Sequence, residues 1–297
     1  MPDHESRQSP MNRRQYIKWS LAGVAGSGHA QSSASNVLQA GPFAVTAPSE
    51  WSKTAIVEKV PLRPLYSASA WNDFQGNRRY RLKPAYSCRP EHWALRFPSA
   101  LPKGILFDLK RAGEDETAPQ ILIHKAAQWD ICFTDGVNET SKKDQLLRSM
   151  RKRMDDVFTH DEPDASPAFT DASLTFQCLK RRIDFKGGHG VRLVAQWTIE
   201  PDLMRFRCLH YLFLGMSDDD SCQIMATFPL SLEGLPSLDD RNHLGWSMDR
   251  YDELSKSFDR YENEAKRWVE THVEKINPTL HTLDAMMHSL VAPRWTE

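Results

Sequence analysis

The 297-residue chain has only five cysteines, Cys88, Cys132, Cys178, Cys208 and Cys222, and no two of them form a CxxC pair. Their odd number and wide spacing argue against a disulfide scaffold and against a zinc ribbon. An excess of one charge is missing too, since 38 basic and 39 acidic side chains leave a formal net charge of −1. No global field therefore favours nucleic acid or an anionic membrane surface. No apolar run reaches the roughly 18–20 residues that a membrane-spanning helix needs, so the expectation is a soluble mature chain without a membrane anchor. G-x-S-x-G, H-E-x-x-H, a Walker loop and a dinucleotide fingerprint are all absent. Catalytic residues need only converge in space, so these gaps lower the case for an enzyme without excluding one. The eleven histidines are scattered without ligand spacing, and no ligand set supports a metal or a cofactor.

What is present begins at the N-terminus. Asn12-Arg13-Arg14-Gln15-Tyr16-Ile17-Lys18 sets two arginines before an apolar pair, and a short, weakly apolar stretch follows to Gly28-His29-Ala30. Small residues stand where a signal peptidase reads. The segment resembles a twin-arginine export signal, an address rather than an anchor, with Arg13 and Arg14 as its charged recognition element. Residues 1–30 are thus expected to be a signal peptide, 31–40 a flexible linker and 41–297 a single α/β domain. The implied partner is the twin-arginine export machinery, and the implied destination is periplasmic or extracellular.

Short apolar runs broken by Pro and Gly predict strands at Phe43-Ala44-Val45, Ala55-Ile56-Val57, Trp93 to Phe97, Ile105-Leu106-Phe107 and Ile121-Leu122-Ile123. Trp129 to Phe133 is a further strand candidate. Leu147, Met150, Met154 and Phe158 keep a helical period behind Ser141, and the acidic residues 159–172 read as a loop. Four runs then form an antiparallel meander, Leu174–Phe185, Val191–Glu200, Met204–Leu214 and Cys222–Leu230, joined by short turns. A long apolar stripe from Met248 to Ile276, including Leu254, Phe258, Tyr261 and Trp268, predicts one helix against the sheet. Asn277-Pro278 fits an N-cap and first position for a last helix carrying Leu280, Leu283, Met287 and Leu290. The fold class read from this order is α+β, an antiparallel meander covered by helices.

Matching the apolar positions across the hairpins gives a register. Trp197 falls opposite Cys208 and Ala195 opposite His210. In the next hairpin Cys208 falls opposite Phe228, His210 opposite Ala226 and Cys222 opposite Leu214. Cys178 falls opposite Trp197, two strands from Cys208, or about 9–10 Å away. A disulfide needs Cα atoms within roughly 7 Å, so Cys178, Cys208 and Cys222 are expected as buried free thiols. His210, flanked by two alanines in this register, has room for a ligand or for its own ring. Arg192, Arg205 and Arg207, with Arg181, can stand together on the non-core side, where arginines suit carboxylate or phosphate recognition. Structural pairing with acids on a covering helix is the competing reading. Lys142, Lys143, Arg148, Arg151, Lys152 and Arg153 read as a solvated helix face, and Asp218-Asp219-Asp220 as a hairpin turn rather than a cation site.

Several pieces resemble a set of uncharacterised exported bacterial proteins, many of them predicted lipoproteins. They are Phe43 to Trp51, Arg89-Pro90-Glu91-His92-Trp93, Gly190 to Leu193, Leu209 to Asp218, Phe228-Pro229-Leu230 and Pro278 to Leu290. The opening F…P…W piece, a later sheet and a closing helix also look like the PsbP-like α/β/α sandwich. The resemblance implies a fold and an exported life, but no activity. Lipid anchoring is not carried over, because no cysteine stands near the expected cleavage point. The functional expectation is a non-catalytic module binding an unknown protein or small molecule, with His210, Arg192, Arg205 and Arg207 as candidate ligand residues. The alternative is a periplasmic hydrolase-like enzyme using His210 or His124 in a pocket with a carboxylate and an arginine.

Overall fold

Strand-length apolar runs assemble into one seven-stranded sheet in which every neighbouring pair is antiparallel. The computed structural model describes residues 36–62, 89–103, 118–129, 173–198, 200–206, 208–237 and 239–295. These fall in the unit Asn36–Glu297. The expected signal peptide with Arg13 and Arg14, the 105–107 strand, the 141–158 helix, the 159–172 loop, Cys88, Cys132 and Arg207 lie outside the described residues.

The sheet strands are β3 (Ile56–Val60), β4 (His92–Arg96), β5 (Gln120–Lys125), β6 (Ser173–Phe185), β7 (Gly188–Thr198), β8 (His210–Ser217) and β9 (Cys222–Pro229), in the spatial order β3-β4-β5-β9-β8-β7-β6. Residues 37–40, expected to end a linker, instead form β1 (Val37–Ala40), which pairs with β2 (Phe43–Thr46) across a turn at Gly41.

Strand alternation sends the side chains to two separate cores. Leu95, Phe97, Ile121, Ile123, Tyr211, Phe213, Ile224 and Phe228 enter one. Ala94, Leu122, Val191, Leu193, Ala195, Leu212 and Met225 enter the other, joined by Val60, Trp129 and Leu174. Tyr211, Leu212 and Phe213 are consecutive and each is fully buried, as expected of a strand covered on both sides.

The helices that follow the sheet pack on the first face. The stripe expected to form one helix is split at Ser257, whose backbone (φ −122°, ψ 25°) ends α2 (Tyr251–Lys256) and opens α3 (Phe258–Thr271). Leu254, Tyr261, Ala265 and Val269 run through this break as one buried line, while Phe258 and Trp268 pack partly buried beside it. Full burial of a Phe or Trp is worth more than these two realise, so they contribute less than the roughly 1.5–3 kcal/mol of a buried large apolar side chain. Asn277, expected as a helix cap, lies in β13 (Ile276–Asn277) opposite Ser231 of β10 (Ser231–Leu232). The cap of α4 (Leu280–His288) is Thr279, whose hydroxyl accepts from Thr282 N at 3.2 Å.

A backbone seam follows α4. Val291 exchanges hydrogen bonds with Ala44 of β2, while Lys186, at the β6–β7 turn, bonds Leu290 O and Ala292 N. Gly187 is required beside it: its φ is +94°, and a Cβ there would stand 2.4 Å from Ala292 O. A last small hairpin, β11 (Asn242–His243) and β12 (Trp246–Ser247), packs against α3.

The register differs from the expected one in three places. Ala195 does lie opposite His210. His210, however, faces Pro229 rather than Ala226, and Leu214 faces Met225 rather than Cys222. Cys178 faces Val194 rather than Trp197, because β6 carries register shifts at Leu174/Phe176 and Cys178/Arg181, with Leu179 at φ 52°. Cys178, Cys208 and Cys222 are all free; Cys178 and Cys222 are buried and Cys208 is half-buried.

Candidate ligand site on the second sheet face

Among the described residues, Arg192, Arg205 and His210 do not converge. Arg192 points to the helix side, where its Nε and Nη2 donate to the two carboxylate oxygens of Asp284 on α4 at 3.0 and 2.9 Å. Tyr211 OH and Arg181 Nη1 add two further donors to the same carboxylate, each at 3.2 Å. Burial and the Asp284 charge push the Tyr211 phenol well above its ordinary range. Arg205 pairs with Asp202 three residues back, in the segment before β8. His210 lies on the opposite face, its Nδ1 donating to Cys208 O at 3.0 Å and its ring 5.3 Å from Trp197. Asp219 accepts from Ser217 Oγ and Ser221 N, which makes Asp218–Asp220 a hydrogen-bonded turn.

The second face holds a different concentration of polar groups. Paired strands put directly opposed residues on one side, so two cross-strand rows can be followed. One row is His92, His124 and Gln223, on β4, β5 and β9. The other is Arg96, Gln120 and Thr227 on the same three strands. The rows are four residue steps apart along β4, about 13 Å at strand rise. Ala94, Leu122 and Met225 fill the space between them. His92, His124, Arg96, Gln120, Thr227 and the adjacent Arg89 are all buried.

Within the first row the His92 and His124 rings are 4.9 Å apart, and Trp129 lies 5.3 Å from His124. His92 Nδ1 donates to Pro90 O at 2.9 Å, which fixes its tautomer. Burial first, then the charges of His92 and Arg89, hold His124 well below the ordinary imidazole range, with Gln223 opposing them. His124 is therefore a neutral imidazole at neutral pH.

Two atoms on this face are buried without a hydrogen-bond partner among the described residues, Arg96 Nε and Trp197 Nε1, while the Gln223 side chain turns to His124. An unsatisfied buried polar group costs about 1–3 kcal/mol, so such atoms are uncommon in a finished core. Sequence reading found His124 and His210 but missed Arg96 and Gln223. The only available signal was polar residues spaced four apart on one face of otherwise apolar strands, His92 and Arg96 in HWALR and Gln223 and Thr227 in CQIMAT.

A groove of about 240 Å³ lies elsewhere, between the β11–β12 hairpin and α2–α3. Its polar groups are already matched: Glu264 accepts from Trp246 Nε1 and Arg260 Nε, and Arg250 pairs with Glu253. Among the described residues no three His, Cys, Asp or Glu side chains gather around a metal position. Comparison with known proteins gives no matching family, no matching curated protein and no matching solved structure.

Proposed function

We propose that the chain is an exported binding module whose ligand lies on the second, polar-lined face of the seven-stranded sheet, and that it is not a catalyst. The observation that carries this reading is Arg96 Nε, buried on that face without a partner among the described residues. A ligand with a matching acceptor offsets its desolvation, as ordinary apolar packing does not. The buried guanidiniums of Arg89 and Arg96 bias the face toward acceptor-rich ligands. His210 keeps its place in the site, whereas Arg192 serves the α4 anchor.

Export is supported by Arg13-Arg14 and the weakly apolar stretch behind them. This makes the chain a cargo of the twin-arginine machinery with a periplasmic or extracellular destination. The PsbP-like sandwich and the kinship with exported bacterial proteins belong to the same proposal, supported by an antiparallel sheet with helices packed on one face. A hydrolase-like enzyme is favoured by one observation only, the neutral His124 imidazole against His92, which has the character of a general base.

The test is ligand-observed NMR of the purified full chain against small polar metabolites, followed by amide exchange with the best binder. Protection of β4, β5, β8 and β9 is expected. Protection confined to the β11–β12 groove overturns the site. Turnover of the bound compound, abolished by His124→Gln, overturns the non-catalytic reading.

A further inference from the structure

The geometry points to Arg96 as the anchor for a ligand carboxylate, an inference that rests on the second face being the ligand site. Arg96 lies near the end of β4 with only 8% of its surface exposed. Glu58, on the neighbouring edge strand β3, takes its Nη1. The Nε side of the same guanidinium is buried and has no hydrogen-bond partner among the described residues. The Nε–H and the adjacent Nη2–H form the parallel pair of donors that a planar oxyanion accepts in bidentate fashion. Glu58 therefore holds one edge of the guanidinium and sets the direction of the other. Gln120 and Thr227 continue the row across β5 and β9, and Thr227 is fixed by donating to Ala118 O at 2.8 Å.

Charge counting selects among oxyanions. Arg96 and Glu58 together are neutral, with Arg96 buried and Glu58 44% exposed, so a carboxylate brings this partly buried corner to one net negative charge and a phosphate dianion brings it to two. The second arrangement carries the larger desolvation penalty, because each uncompensated buried charge is expensive. The ligand class is accordingly a small monocarboxylate, or a larger molecule presenting one.

The ¹⁵N–¹H resonance of Arg96 Nε reports the contact directly, and its loss in Arg96→Lys assigns it. Titrating the full chain with acetate should shift this resonance downfield in a saturable manner, and sodium chloride at the same ionic strength should not. Arg96→Lys should weaken acetate binding by about tenfold or more, the loss of a charge-assisted bidentate contact. Glu58→Gln removes the competing carboxylate and should tighten acetate binding while leaving the Nε signal in place; it keeps the inference testable if Arg96→Lys fails to fold. No acetate shift, an equal shift with chloride, or tighter binding of inorganic phosphate overturns the carboxylate assignment. A metabolite that protects the second face but binds Arg96→Lys undiminished sinks this inference alone. Absence of any ligand footprint on that face sinks the broader reading.

Discussion

Arg192 of β7 and Asp284 of α4 form a two-pronged ion pair, with Nε and Nη2 at 3.0 and 2.9 Å from the two carboxylate oxygens. Both side chains are almost entirely buried, at 7% and 5% exposure. Asp284→Ala would strand a buried guanidinium and is expected to cost about 3–5 kcal/mol in urea unfolding. Arg181→Ala removes a donor that is 58% exposed and should cost no more than about 1 kcal/mol. Equal losses for the two variants would mean that the pair does not anchor α4.

Stability should depend on pH through His243. Its Nδ1 is 2.9 Å from Tyr261 OH, and burial lowers its pKa to about 4. An unfolded histidine titrates near 6.5. Between about pH 6.5 and pH 4 the unfolded chain therefore binds a proton that the folded chain excludes, and stability falls as pH falls through that window. His124 is shifted in the same direction. Urea midpoints measured from pH 7 to pH 4 should flatten in His243→Phe relative to the parent; an unchanged slope refutes the assignment.

Thiol titration checks the cysteines. Burial pushes the Cys178, Cys208 and Cys222 thiols up, so native protein should react slowly, with half-buried Cys208 first. Denatured, unreduced protein should release at least three free groups. Recovery of fewer would place one of these three in a disulfide and contradict the strand register.

Export should depend on the arginine pair. Arg13→Lys with Arg14→Lys is expected to abolish translocation of the full-length chain, read as the periplasmic fraction in cells. Undiminished export of the double variant would remove the twin-arginine reading.

The sequence patterns located the strands better than the pairing between them. Apolar runs marked β2 to β9 wherever the residues are described, and the acidic turn at Asp218–Asp220 followed from local backbone chemistry. The expected β8–β9 register is three residues out, since Tyr211 and not Cys208 lies opposite Phe228. An odd slip exchanges the two faces of a strand. The cause is that Tyr211, Leu212 and Phe213 are all buried, so alternation cannot say which of them faces the helices. The assumed start at Met204 also failed, because Phe206 N bonds Pro236 O and Cys208 N bonds Arg205 O in a turn before the strand. The same two-sided burial hid the candidate site: Arg96 and Gln120 look like ordinary polar breaks at strand ends until a second core shows what surrounds them.

The seam that joins Val291 to both Ala44 and Lys186 has a consequence for the order of events in biosynthesis. Thr46 N bonds Ser289 Oγ across 243 residues of chain. The β1–β2 hairpin leaves the ribosome long before the segment that clasps it, and contacts of such sequence separation form late because their loop-closure entropy must be met first. Folding is thus timed from its far end, and every nascent chain shorter than about residue 292 carries an open hairpin edge.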